Sequence, residues 1–327
     1  MTKVKKSSIL LTCLLLALLC GLLFYIDGNA SKYIIRITRL CAINIVLALS
    51  MNLVNGFTGI FSLGHAGFMA IGAYTVALLT IPVAKKETIF MLEPLIAPLN
   101  TLTLPFGAAL IIGGLLAAAL AFLIGLPCLR LRGDYLAIAT LGFSEIIRIV
   151  ITNAQSLTNG AQGLKSIPAT ANIWWCYGVA LATIVFIALL ISSSYGRAFK
   201  AIREDEIAAE SMGVSLLRHK MLSFMLSAFL AAVGGGLFAS YIGTTGPDVF
   251  QVSRTYDILM IVVMGGMGSI SGSVLAAFIV TIGQEWLRVL DGPLPFLPFW
   301  PESGVSGMRM VVFSVLLLII ILFFRNG

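Results

Sequence analysis

The chain has 327 residues, 59% of them hydrophobic and only 11% charged, with a formal net charge of +7 and a mean hydropathy of +1.03. Soluble domains carry about 45–50% apolar and about 25% charged residues, so this composition cannot clothe a surface that faces water. It excludes an ordinary soluble fold, and with it the reading of the positive charge as a nucleic-acid footprint; cations on such a chain report topology instead, because they accumulate in cytoplasmic loops.

Residues 9–26 form the first uncharged run, preceded by Lys3, Lys5 and Lys6. The run is longer than the h-region of a usual signal peptide, and Asn29-Ala30-Ser31 is a poor cleavage site, so it reads as an uncleaved first helix with a cytoplasmic N-terminus. Further spans are predicted over residues 34–54, 64–82, 104–127, 135–151, 173–192 and 221–242. A glycine-interrupted stretch over 256–282 follows, read as two hinged elements, and then a last helix over 307–324. Continuous apolar runs of this kind, about 8–10 in all, describe an all-α polytopic membrane protein rather than a barrel, whose strands would alternate. Parity puts Arg130, Arg132 and the cations of the loop around residues 196–220 inside. Lys32, Arg36, Arg39, Lys85 and Lys86 fall outside and break the rule. The chain reads as a single transmembrane domain over residues 1–327.

Two glycine-rich breaks share the pattern G-x-x-G-x-x-S: Gly56, Gly59, Ser62, then Gly64 and His65; and Gly265, Gly268, Ser271. Ser62 and Ser271 are the expected N-caps of the helices that follow. Paired interrupted helices mark a transport path in many carriers, and packing of helices through small residues is the competing explanation. Gly59, Ser62, Gly64, His65, Gly265, Gly268 and Ser271 are therefore the candidate path residues, with His65 expected as a satisfied polar contact.

Between the spans, residues 197–212 read as one helix with Phe199, Ile202, Ala209 and Met212 on one side, Glu204, Asp205 and Glu206 supplying charge, and Gly213 as its stop. Ser215 is the expected cap of the next helix. Glu145 and Arg148, at i and i+3, share a helix face and are expected to neutralise each other as an intramembrane ion pair. The cysteines, at 13, 20, 41, 128 and 176, have neither metal-ligand spacing nor an even count and read as small buried hydrophobes. No catalytic residue, metal site or Walker A pattern is found, and no ladder of unpaired carboxylates marks an ion-coupled carrier.

At these motifs the sequence resembles the permease family of branched-chain amino acid ABC importers, the longer of the two paired permeases of the high-affinity type. The resemblance runs through Asn52-Leu53, Ser62-Leu63-Gly64-His65-Ala66-Gly67-Phe68 and Leu129-Arg130-Leu131-Arg132-Gly133-Asp134-Tyr135. It continues through Thr140–Arg148, Gly196-Arg197-Ala198, Ala201–Glu206 and Val262–Ile270. It implies a non-enzymatic subunit of the inner membrane that moves leucine, isoleucine and valine inward by alternating access. Urea or short amides are the alternative cargo, and an ion-driven secondary transporter is the rival class. The implied partners are a second permease, two ATP-binding subunits that hold ATP and magnesium, and a periplasmic binding protein; this chain itself carries no cofactor. The loop over 196–220 would be the cytoplasmic coupling helix, with Arg197, Ile202, Arg203, Glu204, Asp205, Glu206 and Gly213 on the ATPase side. Ile207 stands where the general importer loop signature has glutamate, so the resemblance carries the docking role to the segment and to no single acid.

Overall fold

The computed structural model describes residues 20–288 apart from 91, 92, 98 and 132, together with 307, 308, 311, 312, 314 and 315. Most of the expected first and last helices, Cys13 and the proline-rich stretch at 291–301 lie outside the described residues. Within them the regular structure is helical, save one antiparallel bridge between Leu164 and Thr245. Residues 20–29 are helical. Then come α1 (Lys32–Asn52), α2 (His65–Thr80), α3 (Val83–Ile89), α4 (Phe106–Cys128), α5 (Asp134–Asn153) and α6 (Gln155–Thr158). The second half holds α7 (Ile173–Ser192), α8 (Ser194–Glu204), α9 (Glu206–Ser211), α10 (Leu216–Ile242), α11 (Val252–Gly265) and α12 (Ile270–Trp286).

Among the described residues, α1 with its extension to Phe57, α4, α5, α7 and α10 are each long and apolar enough to cross a membrane. The chain turns by 120° between α2 and α3, and α12 is a shorter apolar helix. The expected split of 256–282 into two elements is what the chain does: α11 ends at Gly265 and α12 starts at Ile270.

The centre of the bundle is α1, α2 and α10, whose residues dominate the buried set. Their backbones approach closely because glycines face them: a Cβ on Gly72 would strike the Ala232 backbone, and one on Gly235 the Met69 carbonyl. Small residues at such contacts replace the hydrophobic drive that lipid removes. The outward faces of α4, α5, α7 and α12 carry Leu115, Leu123, Ile138, Leu189 and Leu275, all exposed, as lipid-facing helices require.

A line of polar side chains along α1 fixes its neighbours. Asn44 donates to the Thr281 hydroxyl (2.8 Å), and Asn52 donates to the Ser273 hydroxyl (2.8 Å), so α12 runs antiparallel to α1. Ser50 lies 2.7 Å from His65 Nε2, and its carbonyl accepts from Ser227 of α10 (2.7 Å). In hydrocarbon these bonds have no water to compete with, and each unpaired partner would be costly.

The bundle has two ends. One gathers the start of α1, the segment after α2, the stretch between α5 and α7, and the turn after α10. Leu104 N–H donates there to the Leu79 carbonyl (2.8 Å), and Leu164 and Thr245 exchange two bonds of 2.8 Å. Lys86, buried in α3, donates to the carbonyls of Leu99 and Leu102 (both 2.7 Å) and so staples this end. That gives one of the misplaced cations a structural explanation. The opposite end gathers residues 58–64, 129–131, 193–215 and 266–269.

Removing the Asn52 amide should therefore destabilise the bundle. Asn52→Ala leaves Gly268 N–H unpaired and takes one donor each from the Ser269 carbonyl and the Ser273 hydroxyl, which still bond each other, a loss of about 1–3 kcal/mol, read as a lower Tm of the detergent-purified chain; an unchanged Tm would show that water or a rotamer change replaces the bonds.

Candidate functional site

The first break begins as a π turn, Leu53–Phe57, on the end of α1. The Thr58 hydroxyl donates to the Leu53 carbonyl (2.9 Å) and meets Ser223 of α10 (2.6 Å). The chain then runs without regular structure to Gly64, held by Asn55, which pairs with the backbone of Ser62 in both directions (3.2 and 3.3 Å). Leu63 N–H donates to Thr140 of α5 (3.0 Å), and Ala66 N–H, in the first turn of α2, to Thr255 of α11 (3.1 Å). Thus no local side chain caps α2; the first-turn amide of Ala66 and the preceding Leu63 amide are taken instead by hydroxyls from neighbouring helices. Gly64 occupies the N-cap position, not Ser62, whose hydroxyl instead accepts from Gly64 N–H (3.4 Å).

The second break is a turn, Gly266–Ser269, between α11 and α12. Its cap is Ser269, which accepts from Gly272 N–H (3.1 Å), whereas the expected cap, Ser271, sits one turn position further on and is exposed. Both caps are thus displaced by two residues from the sequence reading, for one reason: the chain resumes its helix where tertiary hydrogen bonds allow, and either serine was acceptable locally.

The structure brings the two breaks into contact. Asn52 Oδ1 accepts from Gly268 N–H (2.8 Å), and its Nδ2 donates to the Ser269 carbonyl (2.9 Å). Gly56 abuts Gly268, and a Cβ there would overlap the Gly268 nitrogen and the Asn52 side chain. Of the candidate path residues, Ser62, Gly64 and His65 are buried, and His65 is engaged with Ser50. Gly59 and Ser271 are open. Gly268 and Ser271 line a groove of about 850 Å³ with Phe57, Ser269, Ile270 and Leu275. Gly265 packs against the backbone of Gly272.

Into this junction reaches Arg203, from the loop. Its guanidinium donates to the Gly56 carbonyl (3.2 Å) and lies where a Cβ on Gly268 would stand; its stem covers Gly59, whose φ of +74° and lack of Cβ permit the approach. The other side of the guanidinium pairs with exposed Glu204 (2.6 Å). One side chain therefore touches both breaks and the surface at once.

The loop itself is two helices, not the single one expected. Asp205 leaves the helical region (φ −156°, ψ 114°) and caps α9, accepting from Ile207 and Ala208 N–H (2.8 and 3.1 Å). An aspartate that can cap its own successor breaks a run of good helix formers. Gly213 follows as the stop, at φ +84°. Phe199, Ile202 and Ala209 are buried as expected, but Met212 is 84% exposed: the new helix direction turns it away, together with Ile207 at 71%. Glu206 pairs with buried Lys220 (2.5 Å), tying α9 to α10. Gly196 is pressed against the Ile191 backbone, and Arg197 lies in the first turn of α8. Ser215 precedes α10 but makes no side-chain cap; its carbonyl meets His219 Nδ1 (2.9 Å).

Glu145 and Arg148 form their i, i+3 pair on α5, at 2.8 Å. Four described cysteines are free, with Cys41, Cys128 and Cys176 buried and Cys20 exposed. No group of three metal-binding side chains occurs among the described residues. The sequence reading did not identify Asn52 or Arg203 as the links between the breaks. A polar side chain at the end of an apolar run is a signal that could single out Asn52, but no local signal gives its partner more than two hundred residues away.

Comparison with known proteins accords with this architecture. A family model described as branched-chain amino acid transport system / permease component matches residues 33–322. The high-affinity branched-chain amino acid transport system permease protein LivM of Escherichia coli K12 is 36% identical, over 85% of this chain and 71% of its own length. LivM of Salmonella typhimurium is 35% identical with the same coverage. The probable branched-chain amino acid permease LivM of Methanocaldococcus jannaschii is 23% identical over 86% of this chain and 89% of its own. No solved structure gives a significant match. A polytopic helical bundle whose two interrupted helices meet, matched by the family model over nearly its whole length, is a transport permease: the chain belongs to the branched-chain amino acid permease family.

Proposed function

We propose that this chain is a membrane subunit of an ATP-driven importer in the inner membrane, that it carries leucine, isoleucine and valine inward by alternating access, and that α8 and α9 form its coupling element. The observation that carries the reading is Arg203, which joins the exposed loop to both helix breaks. Its partners in this reading are a second permease, two ATP-binding subunits and a periplasmic binding protein. The loop end then faces the cytoplasm, and with it the cationic residues Arg197, Lys200, Arg203 and Arg218, in keeping with the bias of cytoplasmic loops.

Each part of the loop has a task on this reading. Phe199 and Ile202 seat α8 in the bundle, so that a push on the loop reaches the core as a rigid-body movement. Arg197, Glu204, Asp205, Glu206 and Gly213 shape and present the surface, and exposed Ile207 and Met212 supply the apolar contact that an ATPase cleft would bury. The path runs along the open side of the junction, past Gly59, Gly268 and Ser271. Ser62, Gly64, His65 and Gly265 hold the hinge behind it. Glu145 and Arg148 serve as a self-neutralised pair.

Reconstitution with the partner chains should give ATP-dependent leucine uptake; uptake of a short amide in its place would overturn the cargo. In that system Arg203→Ala should reduce uptake by about tenfold or more while ATP hydrolysis continues, since the tie to both breaks is lost, with Arg203→Lys partly active; equal losses of hydrolysis and uptake would point to docking alone. Ile207→Asp with Met212→Asp should strip the ATPase subunits from the purified assembly, and full recovery of those subunits would remove these two residues from the interface. Ser271→Leu should block uptake with the assembly intact, and unchanged uptake would move the path elsewhere.

A further inference from the structure

At the end of the bundle away from Arg203, three cations that break the charge rule share one stripe of α1. Lys32, Arg36 and Arg39, at i, i+4 and i+7, line a cavity of about 540 Å³ together with Ile35, Tyr241 and Ile242. None of the three makes a salt bridge among the described residues. Arg36 is held by a bond from its Nε to the Tyr241 hydroxyl (3.1 Å), which aims the guanidinium rather than neutralising it. Arg39 has a buried Nε with no hydrogen-bond partner. Glu285, whose charge reaches Arg36, is itself paired with Arg288 (3.0 Å).

Three like charges around one cavity repel one another, and a buried guanidinium N–H without an acceptor is costly. An anion in the cavity would relieve both. We infer that this cavity binds the phosphate of an anionic phospholipid, with Arg36 and Arg39 on the phosphate oxygens and Lys32 at its rim.

Position and wall chemistry favour a lipid over a docked protein. Arg39 lies seven residues into α1, a helix long and apolar enough to cross a membrane, about 10 Å along its axis from its start, so the cavity extends along the helix flank, where a lipid would lie, and not only over the helix end. Ile35 and Ile242 give the cavity an apolar wall beside the cations, and Tyr33 and Ile34 are exposed next to it. Aromatic and apolar groups flanking cations are the usual boundary of a headgroup zone. On the proposed orientation this is the outer leaflet, but the site itself does not depend on what the chain transports.

The test uses the full chain purified in a neutral detergent, with dihexanoyl-phosphatidylglycerol, dihexanoyl-phosphatidylcholine and inorganic phosphate as separate probes, and Tm as the readout. The glycerol lipid should raise Tm at a concentration about tenfold below that needed of the choline lipid. Lys32→Ala with Arg36→Ala should abolish that preference. Lys32→Ala alone, at an exposed side chain, should weaken it and keeps the test decisive if the double variant does not fold. Equal stabilisation of the parent and these variants would overturn the proposal. Inorganic phosphate acting as strongly as the anionic lipid would overturn the lipid as the source and leave a free-anion site. Loss of binding-protein association in the variants, with lipid preference retained, would overturn it in favour of a protein-docking surface.

Discussion

The structure turns on how a chain can interrupt two helices inside a membrane bundle without leaving backbone groups unpaired. In hydrocarbon an unsatisfied N–H or C=O costs several kcal/mol, so irregular backbone survives there only when other protein groups replace the missing bonds. The Asn52 amide does this for the second break, accepting from Gly268 N–H and donating to the Ser269 carbonyl. Arg203 does it for the first, through the Gly56 carbonyl. Hydroxyls of Thr140 and Thr255 complete the start of α2. Asn52 ties the end of α1 to the second break, and Arg203 touches both breaks.

Side chains pack against bare backbone at Gly56, Gly59 and Gly268. The loop reaches this junction through Arg203. Its inner face, Phe199 and Ile202, is seated in the core, while its outer face at Ile207 and Met212 is bare.

Charge is handled with equal economy of position. On α5 Glu145 pairs with Arg148, and on α11 Arg254 lies 3.8 Å from Asp257, each within one turn; Arg254 also stacks over the Phe238 ring at 4.5 Å. Local pairing of this kind removes net charge from lipid without demanding a distant partner. Lys32, Arg36 and Arg39 are the contrast: a cationic stripe with a cavity beside it and, among the described residues, no acid bonded to it.

Most of the architecture was legible in the chain. Apolar runs fixed the spans, because about twenty uninterrupted apolar residues have one stable home. The glycines of 265–268 split the last long stretch into α11 and α12, and Gly213 ended the loop helix, since positive φ there suits no other residue so well. Charge spacing marked Glu145 with Arg148. What the sequence alone decided was therefore the local and the periodic: which segments are helical, which face lipid, and where the helix must stop. Tertiary structure decided the rest. It chose Gly64 and Ser269 over Ser62 and Ser271 as caps, turned Met212 outward, and joined Asn52 to Gly268 and Arg203 to Gly56. Those choices depend on hydrogen-bond partners and bare backbone brought from far along the chain, and a polar side chain in a sequence does not say which of the distant groups it will meet.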